Sequence, residues 1–149
     1  MATHTLFVYG TLCDPDIRAA VLGRRWRGAL PGRAFAPGHR VVYYPGRLYP
    51  ALHRAAGARA IGKILCGLNE RDLAVLDAFE GTEYRRAPVR VMLAGRTVRA
   101  EAYLPNIPLG YGTRPWRLAT WQARHKGAER VREARLALHN RQTTTIAPH

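Results

Sequence analysis

The chain has 149 residues and a formal net charge of +14, from 24 basic against 10 acidic side chains, and 47% of it is hydrophobic. That suits one domain with its own core. It excludes a membrane-helix protein, because no run approaches the roughly 18 apolar residues such a helix needs. The N-terminal "MATHTLFVYG" carries neither a basic region nor a long apolar stretch, so it does not read as a secretory signal, and a cytoplasmic location is expected. In chain order, residues 5–9, "TLFVY", predict a strand rich in aromatic and β-branched residues. "DPDIRAAVLG" then predicts a short helix: Asp14 as N-cap, Pro15 at the first helical position, Gly23 at the stop. Residues 24–37 suggest a strand broken near Pro31-Gly32, and residues 40–44 another strand. "PGRLYPAL" reads as a loop, and residues 59–68 as a strand in which Gly62 marks a bulge or a close approach.

Residues 69–80, "NERDLAVLDAFE", give the clearest helix. Asn69 can cap it, with Asp72 completing a variant of the capping box. Leu73, Leu76 and Phe79 recur at helical spacing, and Gly81 ends it. Two strands follow, joined at Ala94-Gly95-Arg96. Alternation on the second puts Val98, Ala100, Ala102 and Leu104 on one face and Arg99, Glu101 and Tyr103 on the other. A Pro/Gly-rich loop leads into a helical region from Pro115 to about Asn140, which Gly127 interrupts, and residues 141–149 read as a disordered tail. One domain over residues 1–140 is expected. The order of elements lacks regular βαβ alternation and predicts an α+β fold, a small, largely antiparallel sheet or barrel with helices outside.

The candidate chemistry centres on Glu80. It is the last residue of its predicted helix, where the macrodipole favours cations over carboxylates. An apolar cavity there would raise its pKa further and suit it to proton transfer near neutral pH. The competing reading is a solvated helix end paired with Arg85 or Arg86. Cys13 follows the Gly-Thr turn near a helix start, where a thiol pKa can fall; a buried structural thiol is the alternative. Cys13 and Cys66 have neither disulfide-framework nor zinc spacing, and the six histidines show no metal-ligand spacing. Tyr49-Pro50 can line a pocket or form a turn, and Trp116 and Trp121 read as core. Only Lys63 and Lys126 are lysines. The arginines run from Arg18 to Arg141 without forming a basic arm, so the charge reads as a general surface property. The weak, salt-sensitive attraction to polyanions that such a charge implies needs no specific nucleic-acid partner.

Three segments together carry a resemblance: "VYGTL" near the N-terminus, "YPAL" near residue 50 and "LDAFEGTEYRR" in the middle. They resemble the γ-glutamylcyclotransferase-like proteins, including the AIG2-like group, over roughly residues 4 to 105. The resemblance implies a small mixed β-barrel with flanking helices. It also implies a cofactor-independent, metal-free transferase or lyase of cytoplasmic type that cyclises a γ-glutamyl amide or peptide to 5-oxoproline, without a membrane partner. Carried over residue by residue, it makes Glu80 the acid/base. Tyr9, Gly10, Thr11 and Leu12 become the turn that holds the substrate's α-amino-acid end, and Tyr84 and Tyr103 match later aromatic positions. Consecutive N–H groups in such a turn suit a carboxylate, and Gly10 permits close approach. A non-catalytic small-molecule binder of the same fold, or a basic nucleic-acid module, are the rival classes. The resemblance gives the C-terminal helix no role.

Overall fold

The computed structural model describes residues 3–110 and 113–127. Five strands, β1 (His4–Val8), β2 (Ala34–Tyr43), β3 (Pro50–Leu68), β4 (Tyr84–Leu93) and β5 (Arg96–Pro105), close into a barrel in the order β1-β3-β2-β4-β5. All neighbours are antiparallel except β1 and β5, which meet in parallel at Leu6 and Glu101 and so complete the ring. Closure removes free sheet edges, which a short open sheet would have to protect. Among the described residues three helices lie outside: α1 (Pro15–Leu22), α2 (Glu70–Glu80) and α3 (Leu118–Arg124).

The α+β barrel with flanking helices is as the sequence predicts, and the caps of its first two helices form as read. Asp14 accepts from the amides of Asp16 and Ile17. Asn69 and Asp72 make both halves of the capping box. Gly81, at φ 74°, stops α2 in a conformation that favours glycine. Ala94 and Gly95, both at positive φ, make the two-residue turn between β4 and β5.

Two strand boundaries differ from the sequence reading. The strands expected at 24–37 and 40–44 meet in one ladder strand, β2, which begins only at Ala34 and carries an irregularity between Pro37 and His39. The expected loop after Tyr44 ends at Leu48-Tyr49, because Pro50, Ala51 and Leu52 already pair with Tyr43, Val42 and Val41. β3 is therefore 19 residues long. Its middle, "HRAAGAR", has small and charged residues and no apolar alternation; His53, Arg54 and Arg59 pair with β2, while residues 55–58 stand out of the register where it shifts. The C-terminal helix starts at Leu118, since Pro115 still bridges Val42. Its expected continuation beyond residue 127 and the tail 141–149 lie outside the described residues.

The barrel interior is narrow, and its residues are small to match. Ala34, Ala36, Ala60, Ala100 and Ala102 surround the fully buried Phe7 and Ile64. Gly62 belongs to this fit: a Cβ there would lie 2.1 Å from the Val8 carbonyl oxygen and 2.8 Å from the Phe7 ring. The anticipated close approach is thus with the neighbouring strand's own backbone. Gly62→Ala should lower stability by about 1–3 kcal/mol, the usual cost of overpacking. Urea unfolding at constant m-value would register it.

A second core lies between barrel and helices, where Leu6, Val8 and Leu65 meet Ile17, Val21, Leu73 and Leu76. Trp116 and Trp121 complete it as core residues, in line with the sequence reading. α3 is tied to α1 by a fully buried carboxylate. Asp14 receives Lys126 Nζ at 2.8 Å and Gln122 Nε2 at 2.9 Å. Burial pushes the Asp14 carboxyl up, but the hydrogen bonds from Lys126, Gln122 and the helix amides outweigh it and leave it below the ordinary 3.8. A depressed carboxyl stabilises the fold above its unfolded pKa and loses that contribution as pH falls through the folded value. The melting-temperature gap between wild type and Asp14→Asn should therefore be full at neutral pH and close below about pH 3.8, which a pH series of thermal melts would reveal.

Candidate functional site

β1 ends at Val8, and the chain turns through Gly10 into a single 3-10 turn, Thr11–Cys13, before Asp14 caps α1. The carbonyls of Gly10 and Thr11 accept from the amides of Cys13 and Asp14 at 3.0 and 2.9 Å, and the Arg18 guanidinium takes those of Leu12 and Cys13. Thr11 and Leu12 open this turn, so their own N–H groups have no acceptor within it. On the other side of the same space α2 ends at Glu80, delivered there by the capped helix and the Gly81 stop.

One cavity of about 560 Å³ joins these two places, within the usual size of a small-molecule site. Its wall includes every residue that the sequence singled out for the site: Tyr9, Gly10, Thr11, Leu12, Glu80, Tyr84 and Tyr103. Segments more than sixty positions apart in the chain therefore converge on one space. Tyr49 and Pro50 are also in the wall, so this dipeptide lines a pocket as well as opening β3.

The three inner phenols are fixed donors. Tyr9 donates to the Tyr103 carbonyl, Tyr84 to the Pro50 carbonyl, and Tyr103 to Asp77 Oδ1 at 2.6 Å. Burial, followed for Tyr9 and Tyr84 by neighbouring charge and for Tyr103 by its bond to Asp77, holds all three pKa values well above the usual 10.0, and the Glu80 carboxylate contributes to each shift. The phenols therefore stay neutral at physiological pH and shape the wall without exchanging protons. The shared influence of Glu80 also puts its charge within electrostatic reach of all three rings.

The sequence reading left out a second carboxylate in the wall. Glu83 accepts from the Tyr49 hydroxyl and from Arg47 Nε at 3.2 Å. Burial pushes its carboxyl up, but these two partners outweigh that and leave it below its ordinary value, while Tyr49 is pushed up to about 12. Glu83 is thus held ionised at the rim. Its signal was present in the segment "EGTEYRR", three residues beyond Glu80. Asp77, which orients Tyr103, was equally visible one helical turn before Glu80.

The two arginines offered as alternative partners of Glu80 also make contacts of their own. Arg86 pairs with Asp77 and Glu101, both at 3.2 Å, and Arg85 donates to the Pro105 carbonyl. Cys13 is a structural thiol and not an activated one. It donates to the Val8 carbonyl, and burial pushes it up to about 11. Among the described residues no group of three or more His, Cys, Asp or Glu side chains is arranged to hold a metal ion, and no helix is long and apolar enough to cross a membrane.

Comparison with known proteins places this architecture. The family profile described as gamma-glutamyl cyclotransferase, AIG2-like, matches residues 6–123. The chain belongs to that family. The match runs beyond β5 through most of α3, so the C-terminal helix, to which the sequence reading gave no counterpart, lies within the family domain. AIG2-like protein D of Arabidopsis thaliana is 33% identical over 130 residues, covering 82% of this chain and 81% of that protein. An Arabidopsis thaliana protein solved in solution superimposes with a TM-score of 0.66 at 25% identity, over 100% of this chain and 97% of its own. A solved gamma-glutamyl cyclotransferase shares the fold, with a TM-score of 0.54 at 16% identity over 75% of this chain and 70% of that one.

Proposed function

We propose that this protein converts a γ-glutamyl amine or γ-glutamyl peptide to 5-oxoproline and a free amine or amino acid, with Glu80 as general acid/base. One observation carries the reading: Glu80 and the Gly10–Leu12 turn, which the family likeness pairs as proton carrier and substrate cradle, line one cavity. In such a substrate the free α-amine lies within ring-closing reach of its own γ-carbonyl. Holding the chain folded supplies much of the rate advantage, because the attack is intramolecular. The α-amine nitrogen forms a bond to the carbonyl carbon of the γ-amide and gives its proton to Glu80. The bond from that carbon to the leaving nitrogen then breaks, and Glu80 returns the proton to the departing amine. Atoms balance without water, oxidant or cofactor. The N–H groups at the turn suit the substrate's α-carboxylate, and the neutral phenols of Tyr84 and Tyr103 close the wall without competing for the proton.

The test is to incubate the purified protein with a panel of γ-glutamyl amines and γ-glutamyl dipeptides and to quantify 5-oxoproline. Time-dependent release from at least one class supports the reading. Folded protein that binds panel members in the cavity yet yields no 5-oxoproline would make it a binding member of the fold.

A further inference from the structure

The outer face of the barrel across β3, β2, β4 and β5 carries an arrangement that the cyclotransferase reading does not use. β4 is 10 residues long, about 30 Å at roughly 3.3 Å per residue, with Tyr84 at its cavity end and Met92 near the other. At that distal end Ile61, Phe35, Met92 and Thr97 stand opposite one another in one row across β3, β2, β4 and β5. Ile61, at one end of the row, is 50% exposed, and Thr97, at the other, is exposed as well. Two residues along, on the same face, Arg59 on β3 lies over the Phe35 ring at 4.5 Å, and Arg90 on β4 faces Arg99 on β5 directly.

All three arginines are exposed, and among the described residues none forms an ion pair. The nearest carboxylate along β5, Glu101, is already taken by Arg86 and His4. Like charges directly opposite on neighbouring strands repel. The Arg90–Arg99 pair carries that cost with no ion-pair partner among the described residues, and a phosphate backbone would relieve it. The guanidinium of Arg59, held over the Phe35 ring, offers a cationic surface on which a base can stack. A convex sheet face enters neither groove of a duplex, whereas an extended single strand can lie across it.

We propose that this distal face binds single-stranded nucleic acid without sequence preference, through phosphate contacts at Arg90 and Arg99 and stacking at Arg59. The arginines that look scattered along the sequence are in part gathered here by strand register. None of Phe35, Arg59, Arg90 and Arg99 lines the cavity, so the proposal stands or falls independently of the proposed catalysis.

The test is fluorescence anisotropy with a labelled oligothymidylate across a salt series. It compares wild type, a face variant (Arg59→Gln, Arg90→Gln, Arg99→Gln) and a control losing the same charge from exposed positions elsewhere (Arg24→Gln, Arg25→Gln, Arg71→Gln). The face variant should bind at least about tenfold more weakly at low salt, and its salt slope should be shallower by about 1.4, at roughly 0.7 for each of the two phosphates no longer neutralised. The control should stay close to wild type. Thermal melts of the face variant should match or exceed wild type, since a repulsion is removed; the single Arg90→Gln variant serves the same comparison if the triple one does not fold. Equal losses in face and control variants would reduce the effect to net charge and overturn the proposal. So would an absence of binding at low salt, or face-dependent binding to anionic lipid vesicles with none to the oligonucleotide.

Discussion

Glu80→Gln should lower kcat by about 10²–10⁴ on any γ-glutamyl substrate that the wild type turns over, with the fold intact. The substitution keeps the shape and the polar head but removes the ability to accept and return a proton. The site's other groups leave no obvious replacement. The phenols of Tyr9, Tyr84 and Tyr103 are held neutral by burial and spend their protons on the Tyr103 carbonyl, the Pro50 carbonyl and Asp77. Glu83 is kept ionised by Tyr49 and Arg47 and makes a poor proton donor. Glu83→Gln should therefore cost much less in kcat than Glu80→Gln, which makes it the internal control. Single-turnover rates of 5-oxoproline formation, with circular dichroism to verify folding, measure both. Wild-type turnover by Glu80→Gln would remove Glu80 from the mechanism, and an equal loss in both variants would assign the effect to cavity charge and not to proton transfer.

What the sequence made legible follows from how local each signal is. The caps at Asp14 and Asn69 and the stop at Gly81 are settled by atoms within a few residues, and all three form as read. The cavity-lining segments were readable through the family resemblance that "VYGTL" and "LDAFEGTEYRR" carry together, since the Gly-Thr turn taken alone reads as tight packing. The long strands were not. β3 pairs with β2 in two stretches, 50–54 and 59–62, on either side of a register shift, and the small residues between them carry no alternation that a sequence reading could follow. Tyr103 shows a related limit. Alternation puts it on the face of β5 opposite Ala102, as predicted, yet that face is not solvent there, because Asp77 of α2 comes over it and the ring is buried. The clustering of Arg59, Arg90 and Arg99 is likewise a property of register, which charge counting along the chain cannot see.

Substitution of Gly10 should separate a substrate cradle from a purely structural turn. Gly10 has φ −113°, outside the left-handed region, so a side chain there brings no strain of that kind. The obstacle is a neighbour: a Cβ would lie 2.8 Å from Pro50 Cγ and 3.3 Å from its Cδ. Pro50 lines the cavity and its carbonyl receives the Tyr84 hydroxyl, so pressure at Gly10 passes into the wall opposite. Gly10→Val forces a branched side chain against the proline ring and should lower stability by about 1–3 kcal/mol as overpacking. Gly10→Ala adds a single carbon, and a shift of a few tenths of an ångström in the proline ring can begin to accommodate it. If the turn cradles the substrate, kcat/KM per folded molecule should still fall toward about 10²-fold in Gly10→Ala, because small displacements of a positioning element are costly. Val21→Ala supplies the comparison: Val21 is fully buried in α1, away from the cavity wall, and its truncation loses stability alone. The readout is kcat/KM corrected for the folded fraction, measured beside the melting temperature of each variant. A Gly10→Ala protein that follows Val21→Ala, less stable yet fully active once folded, would make the turn structural and withdraw the cradle from the proposed mechanism, leaving Glu80 to be judged on its own variant.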